Sequence, residues 1–259
     1  MKVGISTGCF HARSETEDAF EQIKQAGAEC VEVGLQTFYE YRPEFAKKYA
    51  PRANGLTVNS VHPLSYNFEP QLFFDSRRQR GDGFYWLDQV MRSAQLFGAH
   101  NYTFHGFVRK VVDRDDFDKI AERLNEAIYF CKRYGVRLCL ENVNWSLYNR
   151  PGVFRELKNR CSELFGVFDI KQARKSGYPY GMYINDMAGS ISHVHISDMD
   201  ENGKTCLPSF GVYDFTEVLT RLKDAGFDGA LIIETDNAFA LDELARSVEF
   251  LKEIVYKIK

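Results

Sequence analysis

Residues 131–142 read CKRYGVRLCLEN, and the fold turns on how this stretch is read. Up to Cys131 the apolar residues keep helical spacing: Phe117, Ile120, Ala121, Leu124, Ala127, Ile128 and Cys131. Beyond it, VRLCLE is a short apolar run with the character of a buried strand, and it closes on Glu141. Gly135 stands between the two, where a helix C-cap takes a left-handed residue. The same unit recurs as IKQAGAECVEVG (23–34), AQLFGAHNYTFH (94–105) and LKDAGFDGALIIE (222–234), with Gly27, Gly98 and Gly226 in the capping place. Asp214, with Glu217 three residues on, is placed to cap a helix carrying Phe215, Val218, Leu219 and Leu222.

Working outward from these units, strands are predicted near 2–6, 29–34, 57–62, 101–105, 136–141, 165–170, 191–197 and 229–235. Helices are predicted near 16–26, 44–53, 82–97, 115–134, 152–162, 172–188, 215–225 and 241–257. Eight strand–helix alternations in 259 residues predict an α/β fold of the (β/α)8 TIM-barrel type. No Pro/Gly/Ser-rich linker divides the chain, so one domain over residues 1–259 is expected. A doubly wound open sheet is the alternative. It usually carries a Gly-rich phosphate turn after its first strand, and GISTGCFHARSE (4–15) lacks the G-x-G-x-x-G pattern.

Apolar residues make up 44% of the chain and charged residues 27%, with a net charge of -3. That balance offers no basic surface for nucleic acid. No apolar run approaches the roughly 20 residues that cross a bilayer, and MKVGISTGCF turns polar too early for a signal peptide. The six cysteines include no C-x-x-C pair, so free thiols in a reducing, cytoplasmic setting are expected.

Barrel chemistry gathers at the C-terminal ends of the strands. Six predicted strands close on ionisable residues: His62, His105, Glu141, Asp169, His195 and Glu234. Carboxylates at that density repel one another unless protons or a cation compensate. Glu141, Asp169, His195 and Glu234 give three carboxylates and one imidazole. This set suits one divalent ion, Mn²⁺, Mg²⁺ or Co²⁺ ahead of Zn²⁺. In ISHVHISD (191–198), His193 and His195 share a strand face. His195 lies at the mouth as the ligand, and His193 lies a layer deeper as support. Glu32, inside the second strand, either lines the mouth or forms an ion pair within the barrel.

The segments SVHPLSYN (60–67), FHG (104–106), LENVNW (140–145), FDIKQA (168–173), HVHISD (193–198), LPSFGVYDF (207–215) and IIE (232–234) together resemble the sugar phosphate isomerase/epimerase group. These are xylose isomerase-like TIM barrels related to the endonuclease IV fold. The resemblance implies that Glu141, Asp169, His195 and Glu234 hold one metal and that Glu141 and Glu234 also move protons. The implied reaction removes a proton beside a carbonyl, passes through a metal-bound cis-enediolate and returns the proton elsewhere. Its substrate would be a small sugar, keto-polyol or sugar phosphate. The same site can serve a lyase that dehydrates a keto-inositol, and a barrel that only binds sugar is the non-enzymatic alternative.

Departures from the pattern separate the branches. The endonuclease branch uses three zinc ions and histidines where Gln172 and Cys206 stand, which argues against DNA repair. Ketose 3-epimerases carry a substrate-contacting His at Gln172, a Glu at Leu147 and an Arg at Glu201. Substrate contacts are therefore expected from His62, His105, Trp145, Lys171, Gln172 and Lys204. The cluster Arg77, Arg78 and Arg80 is a further candidate for a phosphate or carboxylate. Asp198 is a candidate to hold His195 or Lys204. The aromatic stretch 66–83 is expected to be a lid, or else an Ω-loop or a dimer contact through exposed Phe73 and Phe74 in a homo-oligomer.

Overall fold

Short runs rich in Val, Ile, Leu and Phe form the strands of this computed structural model, which describes residues 1–11, 13–64, 67–107, 116–236 and 239–258. They are β1 (Lys2–Ser6), β2 (Cys30–Leu35), β3 (Thr57–Pro63), β4 (Asn101–Phe104), β5 (Arg137–Glu141), β6 (Phe165–Asp169), β7 (Ile191–Ile196) and β10 (Ala230–Ile233). All pair in parallel and close in the order β1-β10-β7-β6-β5-β4-β3-β2. Two short strands, β8 (Asp198–Met199) and β9 (Thr205–Cys206), form a separate antiparallel hairpin after β7. The predicted TIM barrel is therefore present, and the open sheet is not.

The connecting helices are α1 (Thr16–Gln25), α2 (Pro43–Tyr49), α3 (Arg77–Phe97), α4 (Phe117–Lys132), α5 (Val153–Lys158), α6 (Ile170–Lys175), α7 (Tyr180–Asp186), α8 (Phe215–Asp224) and α9 (Leu241–Lys257). Their apolar faces pack on the outside of the strands; Leu124, Leu219 and Leu251 are fully buried. Gly27, Gly98, Gly135 and Gly226 have φ of +80°, +74°, +72° and +82°, the left-handed conformation their position requires. Asp214 caps α8, accepting from the backbone N–H of Thr216 and Glu217.

Two predicted elements differ. The continuous helix over 172–188 is broken into α6 and α7, because Gly177 turns left-handed (φ +80°) and Pro179 cannot extend a helix. The stretch expected as a lid is packed into the fold, although its residue 66 lies outside the described residues. Phe68 and Leu72 are fully buried, Phe73 packs against Phe107 with centroids 4.7 Å apart, and residues from Arg77 onward belong to α3. Phe73 is thus unavailable as an exposed dimer contact. Among the described residues, no helix is long and apolar enough to cross a membrane.

The barrel interior is apolar at its base, where Cys30, Ala230 and Ile232 cluster. Gly4 fits there because a Cβ would come within 2.5 Å of Cys30 Sγ. Above that layer it becomes polar. Glu32, Ser60, Thr103 and His193 are almost entirely shut off from solvent and bond to one another.

Candidate active site

The polar layer fixes proton positions by elimination. A carboxylate only accepts. Ser60 Oγ and Thr103 Oγ1 donate to Glu32 Oε2, at 2.8 and 2.7 Å. Thr103 Oγ1 must then accept from His193 Nε2, 2.9 Å away. Burial pushes the His193 pKa down, so the ring is neutral and structural, as its depth in the strand predicted.

Glu32 also turns upward. Its Oε1 lies 3.1 Å from His62 Nδ1 and 3.0 Å from His195 Nε2. His62 Nδ1 donates to this carboxylate. Its Nε2 lies 2.9 Å from His105 Nε2, so one of the two rings donates to the other. Glu69 supports His105 from behind. It is fully buried, accepts the backbone N–H of His105 and Gly106 at 2.9 and 3.1 Å, and accepts the Tyr102 hydroxyl at 2.6 Å. Burial works against charge on His105, but Glu141 and Glu69 outweigh it and raise its pKa to about 10.

Above this layer, β5, β6, β7 and the end of β10 bring Glu141, Asp169, His195 and Glu234 together. A register shift at Gly166/Val167 sets Asp169 directly opposite His195 across the β6–β7 pair. His195 Nδ1 lies 2.9 Å from Glu141 Oε1, 3.5 Å from Glu234 Oε2 and 3.8 Å from Asp169 Oδ2. One ligand atom from each of the four falls within 4.8 Å of the others. Asp169 Oδ1 caps α6 through the Gln172 N–H at 2.8 Å, while its Oδ2 is buried with no hydrogen-bond partner among the described residues. Burial, with the nearby Glu141 and Glu234 charges, lifts the Asp169 pKa to about 7. Burial also disfavours charge on Glu141 and His195, yet the surrounding charges prevail: His195 and His105 hold Glu141 well below the usual carboxylate range, and Glu32, with Glu234 and Glu141, holds His195 well above its own.

These residues fit a divalent cation. An orphaned buried oxygen, a crowded carboxylate kept partly protonated, and three oxygens around one imidazole nitrogen form a hard, oxygen-rich donor set. His62, His105 and Glu141 form an adjoining group that shares Glu141 and can also hold a metal ion.

A cavity of about 610 Å³ opens above the cluster, lined by His62, His105, Glu141 and Glu234 and walled by Leu64, Val143 and Trp145. Gln172 lines it too, with Oε1 accepting the Asn144 N–H at 3.3 Å. The remaining predicted contacts are placed elsewhere. Lys171 is buried beside the cavity, its Nζ 3.3 Å from both Glu234 and Asp236. Lys204 is exposed and lines a neighbouring cavity of about 200 Å³ with Cys206. Arg77 and Arg78 are exposed at the start of α3, and Arg80 pairs with Glu126 at 2.7 Å. Asp198 accepts the backbone N–H of Met199, Gly211 and Tyr213, so it braces the loop and holds neither His195 nor Lys204.

Sequence reasoning placed Glu32 at the mouth or in an ion pair within the barrel without giving it a role, and passed over Glu69. Glu32 had a signal: a charge inside CVEVG is costly without a partner. Glu69 had none, because its partners are backbone groups brought together only by the fold.

Comparison with known proteins agrees with this architecture. Residues 20–254 match the model of the xylose isomerase-like TIM barrel. The uncharacterized protein MJ1311 of Methanocaldococcus jannaschii is 32% identical over 98% of this chain and 89% of that protein. Fructoselysine 3-epimerase of Escherichia coli O157:H7 is 21% identical, covering 90% of each. The crystal structure of a D-tagatose 3-epimerase-like protein superposes with a TM-score of 0.80 at 22% identity, covering 100% of this chain and 98% of that one. With the barrel closed and the family model spanning nearly its whole length, the chain belongs to the xylose isomerase-like TIM barrel family.

Proposed function

We propose that the chain is a divalent-metal-dependent isomerase or epimerase of a small sugar, keto-polyol or sugar phosphate, working as one barrel domain over residues 1–259. The observation that carries this reading is the convergence of Glu141, Asp169, His195 and Glu234 within 4.8 Å at the floor of a sugar-sized cavity. The name of the E. coli relative, a fructoselysine 3-epimerase, supports it.

Mn²⁺, Mg²⁺ or Co²⁺ held by these four residues would polarise a substrate carbonyl and stabilise negative charge on its oxygen. The chain's own groups do the rest. Glu234 and Glu141 reach the cavity from β10 and β5. Placed on either side of a carbon beside the carbonyl, one carboxylate would remove its proton and the other, once protonated from solvent, would return one. Lys171 Nζ, 3.3 Å from Glu234 Oε2, fixes the orientation of that carboxylate. His105 and His62, backed by Glu69 and Glu32, line the cavity with their Nε2 atoms 2.9 Å apart, and a substrate hydroxyl inserted there would take over that contact. Trp145 and Val143 wall one side of the cavity with apolar surface that would keep water from a bound substrate.

The test is a crystal structure grown with Mn²⁺. Anomalous density between the four side chains, with ligand distances near about 2.2 Å, is expected. Density elsewhere, or none, rejects the metal site and the mechanism built on it.

A further inference from the structure

The cavity floor is acidic, but its rim carries a cation that no described acid neutralises. Among the described residues, Arg13 is the one arginine or lysine lining the cavity that holds Glu141 and Glu234. Its guanidinium is pinned: Nη2 donates to Cys9 O at 2.6 Å, Nη1 donates to Phe239 O at 3.2 Å, and the group sits 4.0 Å from the Phe239 ring centroid. These partners orient the charge without cancelling it. No described carboxylate forms an ion pair with Arg13, and the nearby acid of the rim, Asp236, is taken by Lys171 and Lys175 at 3.3 and 3.7 Å.

A guanidinium has five N–H donors in a rigid fork. Two bonds to carbonyls leave the others for a ligand. Because the side chain is already held, little ordering cost remains when an anion arrives. The cations singled out from sequence do not compete: Lys171 is committed to Glu234 and Asp236, and Lys204 and Arg77 lie outside the cavity. The volume of about 610 Å³ also leaves room between the floor and the rim for a substituent beyond a simple hexose.

From this the geometry points to a ketose bearing an anionic group as the substrate, with Arg13 binding the anion. The inference rests on the isomerase or epimerase reading for the ketose end. A phosphate ester and a carboxylate share the required chemistry.

D-Fructose, D-fructose 6-phosphate and D-fructuronate differ only at carbon 6, as neutral, phosphate and carboxylate forms. Each is titrated calorimetrically into the Mn²⁺-loaded protein. At least one anionic form is expected to bind about tenfold or more tightly than fructose. Preference for the phosphate alone or the carboxylate alone identifies the source. Arg13→Ala is expected to erase that preference, Arg13→Lys to keep part of it, and Arg77→Ala, outside the cavity, to keep all of it. Equal binding of the three sugars, no binding of either anion, or a preference that survives Arg13→Ala overturns the proposal. Anion preference without deuterium exchange would fail the isomerase reading while leaving the anion site standing. Exchange on fructose without anion preference would do the reverse.

Discussion

Glu32 Oε1 lies 3.0 Å from His195 Nε2, on the far edge of the ring from Glu141. A carboxylate behind an imidazole holds its tautomer and orientation and raises its basicity toward a cation on the other nitrogen. Glu32→Gln keeps the volume and loses the charge. We expect Mn²⁺ affinity to fall about 10–100-fold, read by calorimetric titration of the metal-free protein. Unchanged affinity would reduce Glu32 to a packing role.

A metal held by Asp169 would bind in a pH-dependent way. Its pKa in the folded, metal-free protein is raised to about 7, so the folded state holds this proton more tightly than the unfolded chain. The associated stability is present below the unfolded value of about 3.9 and is lost as pH rises through 7. A cation replaces the proton. The increase in melting temperature on adding Mn²⁺ should therefore be larger at pH 8 than at pH 5.5. An equal increase at both would show that Asp169 does not exchange a proton for the metal.

Glu69 makes the segment after β3 part of the site. Its carboxylate satisfies two backbone N–H groups and the Tyr102 hydroxyl in a fully buried setting. Glu69→Ala leaves those donors unpaired, at about 3 kcal/mol or more of folding stability. Urea denaturation measures the loss. A cost under about 1 kcal/mol would mean that water reaches the vacated space.

Gly4 tests the tightness of the barrel base. A Cβ there would lie 2.5 Å from Cys30 Sγ and 2.6 Å from Cys30 O. The backbone oxygen cannot rotate away, so Gly4→Ala should cost about 1–3 kcal/mol. A variant as stable as the parent would show that β1 and β2 can part without penalty.

The barrel was legible in sequence because each helix–Gly–strand unit carries local signals: helical spacing, a left-handed cap and a short apolar run. Gly27, Gly98, Gly135 and Gly226 all adopt the predicted conformation. The mouth residues were legible for a related reason, since an ionisable side chain closing an apolar strand is a local anomaly. What sequence could not show was pairing over distance. Glu69 meets His105 across 36 positions, and Lys204 misses the cavity because the β8–β9 hairpin carries it away. The stretch 66–83 stayed open between a lid, an Ω-loop and a dimer contact because its aromatic residues suit each, and only the position of Phe104 and Phe107 shows Phe73 packed inward.

The central claim is proton transfer at a carbon beside a carbonyl by Glu141 and Glu234. Incubation with a panel of ketoses and Mn²⁺ in D₂O, followed by mass spectrometry, tests it most directly. The account predicts one deuterium incorporated at that carbon in a responsive sugar, abolished by chelation and reduced by about 10²-fold or more in Glu234→Gln. Epimer or isomer formation without solvent deuterium in wild type, or full incorporation in Glu234→Gln, would contradict it.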